Sequence, residues 1–120
     1  MTPRGLIAAL ALAFMIGHAG AAEGEDWSVI GRQGIVGQVL VPMAQAADPA
    51  AYERQVDRLC QGRETCFLNF YTNSKSVPIA VPLPDEIASE ATATFRRSAK
   101  QGAQMFKWSC RMKVSTQECF

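Results

Sequence analysis

Hydrophobic and polar residues change their spacing several times along this chain, and each change predicts an element. From Thr65 the period is two: Cys66, Leu68 and Phe70 lie on one face and Phe67, Asn69 and Tyr71 on the other, which predicts a β-strand. Apolar residues on both faces place that strand centrally, under a helix on one side and partly sheltered on the other. Just upstream, Tyr52, Val56, Leu59 and Cys60 recur at helical spacing, while Glu53, Arg54, Asp57 and Arg58 take the opposite side. Asp48 is suited to cap that helix, Pro49 to open it and Gly62 to close it.

The flanking segments complete the pattern. Trp27 to Ile30 and Ile35 to Val41 are rich in β-branched residues around Gly31-Arg32-Gln33-Gly34, which predicts a hairpin or one long strand broken by a bulge. The glycine spacing differs from the G-x-G-x-x-G dinucleotide fingerprint and no helix pattern follows, so the glycines are read as turn chemistry. From Ser76 to Pro84, Val77, Ile79, Val81 and Leu83 alternate with Pro78, Ala80, Pro82 and Pro84. Prolines that lack N–H groups along one edge restrict this segment to an edge or a cover of the core. A second helix is expected from Asp85, with Asp85 and Glu86 at its positive end, Arg96 and Arg97 near its other pole, and Ile87, Ala91, Phe95 and Ser98 on one face. Alternation returns after Gly102, where Phe106, Trp108, Cys110 and Met112 oppose Met105, Lys107, Ser109 and Arg111 in a last strand. The sum is an α+β fold: a small antiparallel or mixed sheet of three to four strands with two helices on one face, stapled by disulfides. Trp108 belongs to the core on this reading, and Trp27 is either an anchor for the first strand or an exposed contact.

Residues 1–22 follow another logic. Arg4 precedes an apolar run from Leu6 to Ile16, and Ala19-Gly20-Ala21 offers small residues for cleavage, as in a secretory signal peptide. Its removal leaves residues 23–120 as one exported domain, periplasmic or secreted, with no later stretch approaching the roughly 18 continuous apolar residues of a membrane span. Arg4 leaves with the leader, so 11 basic residues face 11 acidic ones. A neutral chain has no long-range field for gathering phosphates, and nucleic acid is not an expected partner. Arg96, Arg97 and Lys100 are read as a solvated helix end. The single histidine, His18, is also lost, which removes imidazole acid/base catalysis, Ser-His and Cys-His activation and His-containing zinc sites. No cofactor and no metal ligand set is expected.

All four cysteines lie beyond the leader. An oxidising compartment favours their use as structural crosslinks. Three pairings are possible. The five-residue loop between Cys60 and Cys66 favours that pair, with Cys110 joined to Cys119; the rival arrangement joins Cys66 to Cys110 and Cys60 to Cys119. A redox catalyst would place a C-x-x-C pair at a helix N-terminus, whereas Cys60 stands at the end of its helix.

The nine residues Cys60-Gln61-Gly62-Arg63-Glu64-Thr65-Cys66-Phe67-Leu68 resemble the C-x-G-x-x-x-C motif and following apolar alternation of rhamnose-binding lectin domains. Those lectins carry more cysteines and downstream motifs that this chain lacks, so no sugar-binding residue is carried over. Leader, helix, C-x-G-x-x-x-C-F strand and a closing W-x-C strand together look like small uncharacterised exported proteins of Gram-negative bacteria. That resemblance implies a location and no activity.

Three function classes follow. The first is a non-enzymatic binding protein contacting an envelope protein or polymer through Asn69, Tyr71, Asn73 and Lys75, with Arg63 nearby, since Tyr and Arg are frequent interface anchors. Alternatively, the Cys60 to Cys66 loop presents Arg63 and Glu64 as a small secreted inhibitor of an envelope-targeting enzyme, because a closed loop loses little entropy on binding. A histidine-free hydrolase using Asp85, Glu86 and Glu90 stands third, as those carboxylates are expected on an exposed helix face where they serve capping and solubility. No catalytic residue is assigned.

Overall fold

In the computed structural model the described residues are 25–120; the proposed leader, residues 1–22, lies outside them. A five-stranded sheet is formed by β1 (Ser28–Gln33), β2 (Val36–Leu40), β3 (Cys66–Tyr71), β4 (Ala91–Ser98) and β5 (Ala103–Trp108), in sequential spatial order. Two helices, α1 (Pro49–Leu59) and the one-turn α2 (Asp85–Ala88), and short 3₁₀ turns at Met43–Gln45 and Cys110–Met112 complete the chain. The α+β class is therefore observed, with five strands where three to four were expected.

The hairpin of β1 and β2 turns at Gly34, whose φ of +62° suits the tight two-residue loop between Gln33 and Val36. Gly31, expected in the turn, instead sits inside β1 beside a bulge at Val29/Gly31. From β2 the chain crosses over through α1 and returns as β3 parallel to β2; the other neighbouring strands are antiparallel. Asp48 caps α1 by accepting from the Ala50 N–H (3.1 Å), with Pro49 at its first position.

The main correction is the expected second helix. Helix stops after Ala88, and Ala91–Ser98 runs as a strand between β3 and β5. The helical preference of alanine in Ala91-Thr92-Ala93-Thr94-Phe95 is overridden by the β-branched threonines and by strand partners on both edges. The last strand also ends sooner than its alternation suggested. After Trp108 the chain turns through Cys110–Met112, bringing Cys110 to Cys119, and Lys113 leaves with φ +57°.

The core lies between α1 and one sheet face. Tyr52 and Val56 from the helix meet Leu68, Phe70, Phe95 and Trp108, and the Tyr52 ring stands edge-on to Phe70 (5.1 Å) and Trp108 (4.6 Å). Trp27 is an anchor: its ring packs edge-on to Tyr52 at 4.8 Å, and its indole N–H donates to Gln45 Oε1 at 2.8 Å. Its main chain is tied to α1 through Gln55 Oε1, which accepts its N–H, and Arg58, which donates to its carbonyl. Disulfides join Cys60 to Cys66 and Cys110 to Cys119, the pairing favoured by loop length.

Candidate functional site on the open sheet face

Strand register assigns the residues of the face turned away from α1. One row across the sheet reads Val36, Phe67, Arg96 and Met105; the next reads Gln38, Asn69, Thr94 and Lys107. Leu40 and Tyr71 pair in a third row. These positions carry two cations and no carboxylate.

Part of this face is roofed. Asn73 donates from Nδ2 to the Val77 carbonyl (2.9 Å) and accepts the Val77 N–H on Oδ1 (3.1 Å), fixing the start of the proline-rich segment. That segment forms no strand, and it brings Val81 onto Gly31 in the edge strand β1, beside the Gln38 side chain. It covers the β1 side of this face and not the core on the α1 side, where it was expected, and Ile79 and Val81 each remain about half exposed. Gln38 donates to Gln33 Oε1 (3.2 Å), while its own Oε1 is buried and has no hydrogen-bond partner among the described residues. Toward β4 and β5 the face is open, and Phe67, Arg96, Ser98, Gln101, Ala103 and Met105 line a cavity of about 230 Å³.

Arg96 dominates the open part. Its guanidinium lies over the Phe67 ring at 5.4 Å and donates to Asn69 Oδ1 (2.8 Å) and to the carbonyls of Leu68 (3.0 Å) and Phe95 (2.9 Å). These acceptors fix the guanidinium without neutralising it. Among the described residues the ion pair is Arg58 with Asp26, and Arg96 has no carboxylate partner. Burial lowers its pKa and the nearby Tyr71 opposes that shift, yet a guanidinium stays protonated at any physiological pH.

The sequence-predicted residues separate into three places. Asn69 and Tyr71 meet on the open face, where Asn69 Nδ2 approaches Tyr71 Oη at 3.4 Å. Asn73 serves the cover, and Lys75 stands exposed at the turn that starts it. Arg63 lies beyond the other end of β3, roughly 20 Å along the strand from Tyr71 at a rise of about 3.3 Å per residue. There its loop is exposed; its N–H donates to the Cys60 carbonyl (2.9 Å) and its own carbonyl accepts from Arg97 (3.3 Å).

Sequence reasoning missed Arg96 and Lys107 as members of this face. The expected helix grouped Arg96, Arg97 and Lys100 into one patch; the strand sends Arg96 to the open face and Arg97 over Phe95 on the α1 side. The alternation of Thr94 and Arg96 with the buried Ala93 and Phe95 was the available signal. Glu90, expected on an outer helix face, instead accepts from Thr72 Oγ1 (2.7 Å), the Ser74 N–H (2.9 Å) and Ser74 Oγ (2.7 Å). Asp85 and Glu86 are exposed in the first turn of α2. Among the described residues, no group of three or more Cys, Asp or Glu is placed to hold a metal ion, and no helix is long and apolar enough to cross a membrane. Comparison with protein-family models, curated proteins and solved structures returns no match.

Proposed function

We propose that this chain is a non-enzymatic interaction protein of the cell envelope, periplasmic or secreted, whose open sheet face contacts an anionic envelope component. The observation that carries the reading is Arg96: a half-buried guanidinium, held in a fixed orientation by neutral acceptors, on a face with a second cation and no carboxylate. Bidentate, planar presentation of this kind suits a carboxylate or phosphate, and the flanking Phe67, Tyr71 and Met105 supply rigid or adaptable apolar contact. The two disulfides fit an oxidising compartment.

A photocrosslinking residue at the exposed Met105, introduced into the disulfide-bonded protein in its native envelope, tests this reading. The expected outcome is a crosslinked component that is lost with Arg96→Met or Lys107→Met and weakened by added salt. A crosslink unchanged by both substitutions and by salt removes the proposal.

A further inference from the structure

The outer edge of β5 and the groove beside it form a second surface, on the α1 side of the sheet. The Trp108 carbonyl accepts the Phe120 N–H (3.1 Å) and the Cys110 N–H donates to the Phe120 carbonyl (2.8 Å), whereas Ser109 between them donates to Thr92 of the β4 segment (2.8 Å). Main-chain groups of successive strand residues point to opposite edges. Gln104 and Phe106 therefore direct their N–H and C=O groups outward, as Trp108 does, and neither has a main-chain partner on that edge among the described residues. The side chains of Gln104, Phe106 and Trp108 share the α1-facing side. With Glu53, Val56 and Asp57 of α1 they line a groove of about 350 Å³.

Edge and groove have the geometry that strand addition requires: free donors and acceptors at every second residue, and space for alternate side chains of the added chain. Phe120 already uses this edge at the next position, which shows that an extended backbone fits there. Glu53 and Asp57 are one helical turn apart and exposed, and no lysine or arginine lines the groove. At its end the chain's own Arg97 guanidinium lies 5.4 Å over Phe95 and donates to Gln104 Oε1 (3.2 Å), so a cation is accommodated against this wall. We propose that this surface docks an extended peptide segment of a partner protein as a sixth strand on β5, placing one apolar side chain in the groove and a lysine or arginine beside Glu53 and Asp57. A second copy of the chain is a poorer occupant. Its β5 offers Phe106 and Trp108, which already pack into its own core.

The test uses the disulfide-intact, ¹⁵N-labelled protein and a panel of blocked octapeptides with Val, Leu or Phe at alternate positions and Lys or Arg between them. Bound peptide is expected to protect the Gln104 and Phe106 amides from exchange. N-methylation of the peptide's pairing amides is expected to weaken binding by at least about tenfold. Gln104→Pro is expected to do the same while keeping the β4 pairing, because the lost N–H points outward; a thermal melt verifies folding. Glu53→Lys with Asp57→Lys is expected to reverse the preference toward peptides carrying Glu. Arg96→Met, on the other face, is expected to leave peptide binding intact, so failure here is distinguishable from failure of the open-face reading. The proposal is overturned if no panel peptide protects the two amides, or if binding ignores N-methylation and Gln104→Pro. It is equally overturned if the amides are protected without peptide in step with dimer formation in sedimentation, which identifies a second copy as the occupant.

Discussion

Val81 lies directly against the Cα of Gly31, in the space a methyl group at that position would occupy. Glycine here is a matter of close approach: the backbone of β1 forms the floor on which the proline-rich cover rests. Gly31→Ala is expected to lift the cover and destabilise the fold by about 1–3 kcal/mol, as overpacking does. Adding Val81→Ala is expected to recover much of that loss. A double-mutant cycle by denaturant unfolding, with limited proteolysis across residues 76–84, checks both; equal destabilisation with and without Val81 would show that the contact is not responsible.

Tyr52 is held neutral inside the core. Its hydroxyl donates to the Ala46 carbonyl at 2.7 Å and lies 2.8 Å from Thr92 Oγ1, which supplies the proton of the second bond. Burial, opposed by the Thr92 hydrogen bond and by Arg111, pushes its pKa up to about 12. A folded-state pKa above the ordinary value of about 10 means that its contribution is complete below pH 10 and lost as pH rises toward 12. The tyrosinate absorbance is expected to show Tyr52 ionising only with alkaline unfolding. Tyr52→Phe is expected to cost about 1–3 kcal/mol at neutral pH by leaving the Ala46 carbonyl unpaired.

Glu90 works in the opposite direction. Hydrogen bonds from Thr72 and Ser74, with Arg111 nearby, hold its carboxyl below the ordinary range against the opposing effect of burial. In acid the unfolded chain binds this proton before the folded one does, so stability rises with pH, is complete above the ordinary carboxylate range and falls away beneath it. Glu90→Gln is expected to flatten the acid limb of the stability curve and to increase hydrogen exchange at Ser74. Parallel acid limbs for the two proteins would show that the clamp contributes nothing to it.

The two disulfides are expected to differ in the sense opposite to their loop lengths. Sequence separations of 6 and 9 give loop-closure contributions of roughly 2–3 kcal/mol each, differing by only about 0.3 kcal/mol. Cys60 and Cys66 are buried in the main core, whereas Cys110 is exposed. Replacing the first pair by alanine removes core packing as well, and its unfolding cost is expected to exceed that of Cys110→Ala with Cys119→Ala by about 1 kcal/mol or more. Only the second replacement is expected to free Phe120 from the β5 edge, read as faster exchange at its amide.

Local chemistry was enough for α1, with its Asp48 cap, Pro49 start and apolar stripe, and for β3, whose period of two carries buried Cys66, Leu68 and Phe70. It also favoured the observed disulfides, since closure of a short loop depends on sequence separation. Each of these follows from neighbours along the chain. Residues 91–98 were different, because Ala-Thr repeats satisfy helix and strand alike and the choice was made by β3 and β5 on either side. That same choice separated Arg96 from Arg97, brought Arg96 beside Asn69 and left Arg63 at the far end of the sheet. The edge of β5 and the open face could arise only in three dimensions, because which main-chain groups lack partners and which cations lack counter-charges depends on pairing between strands distant in sequence.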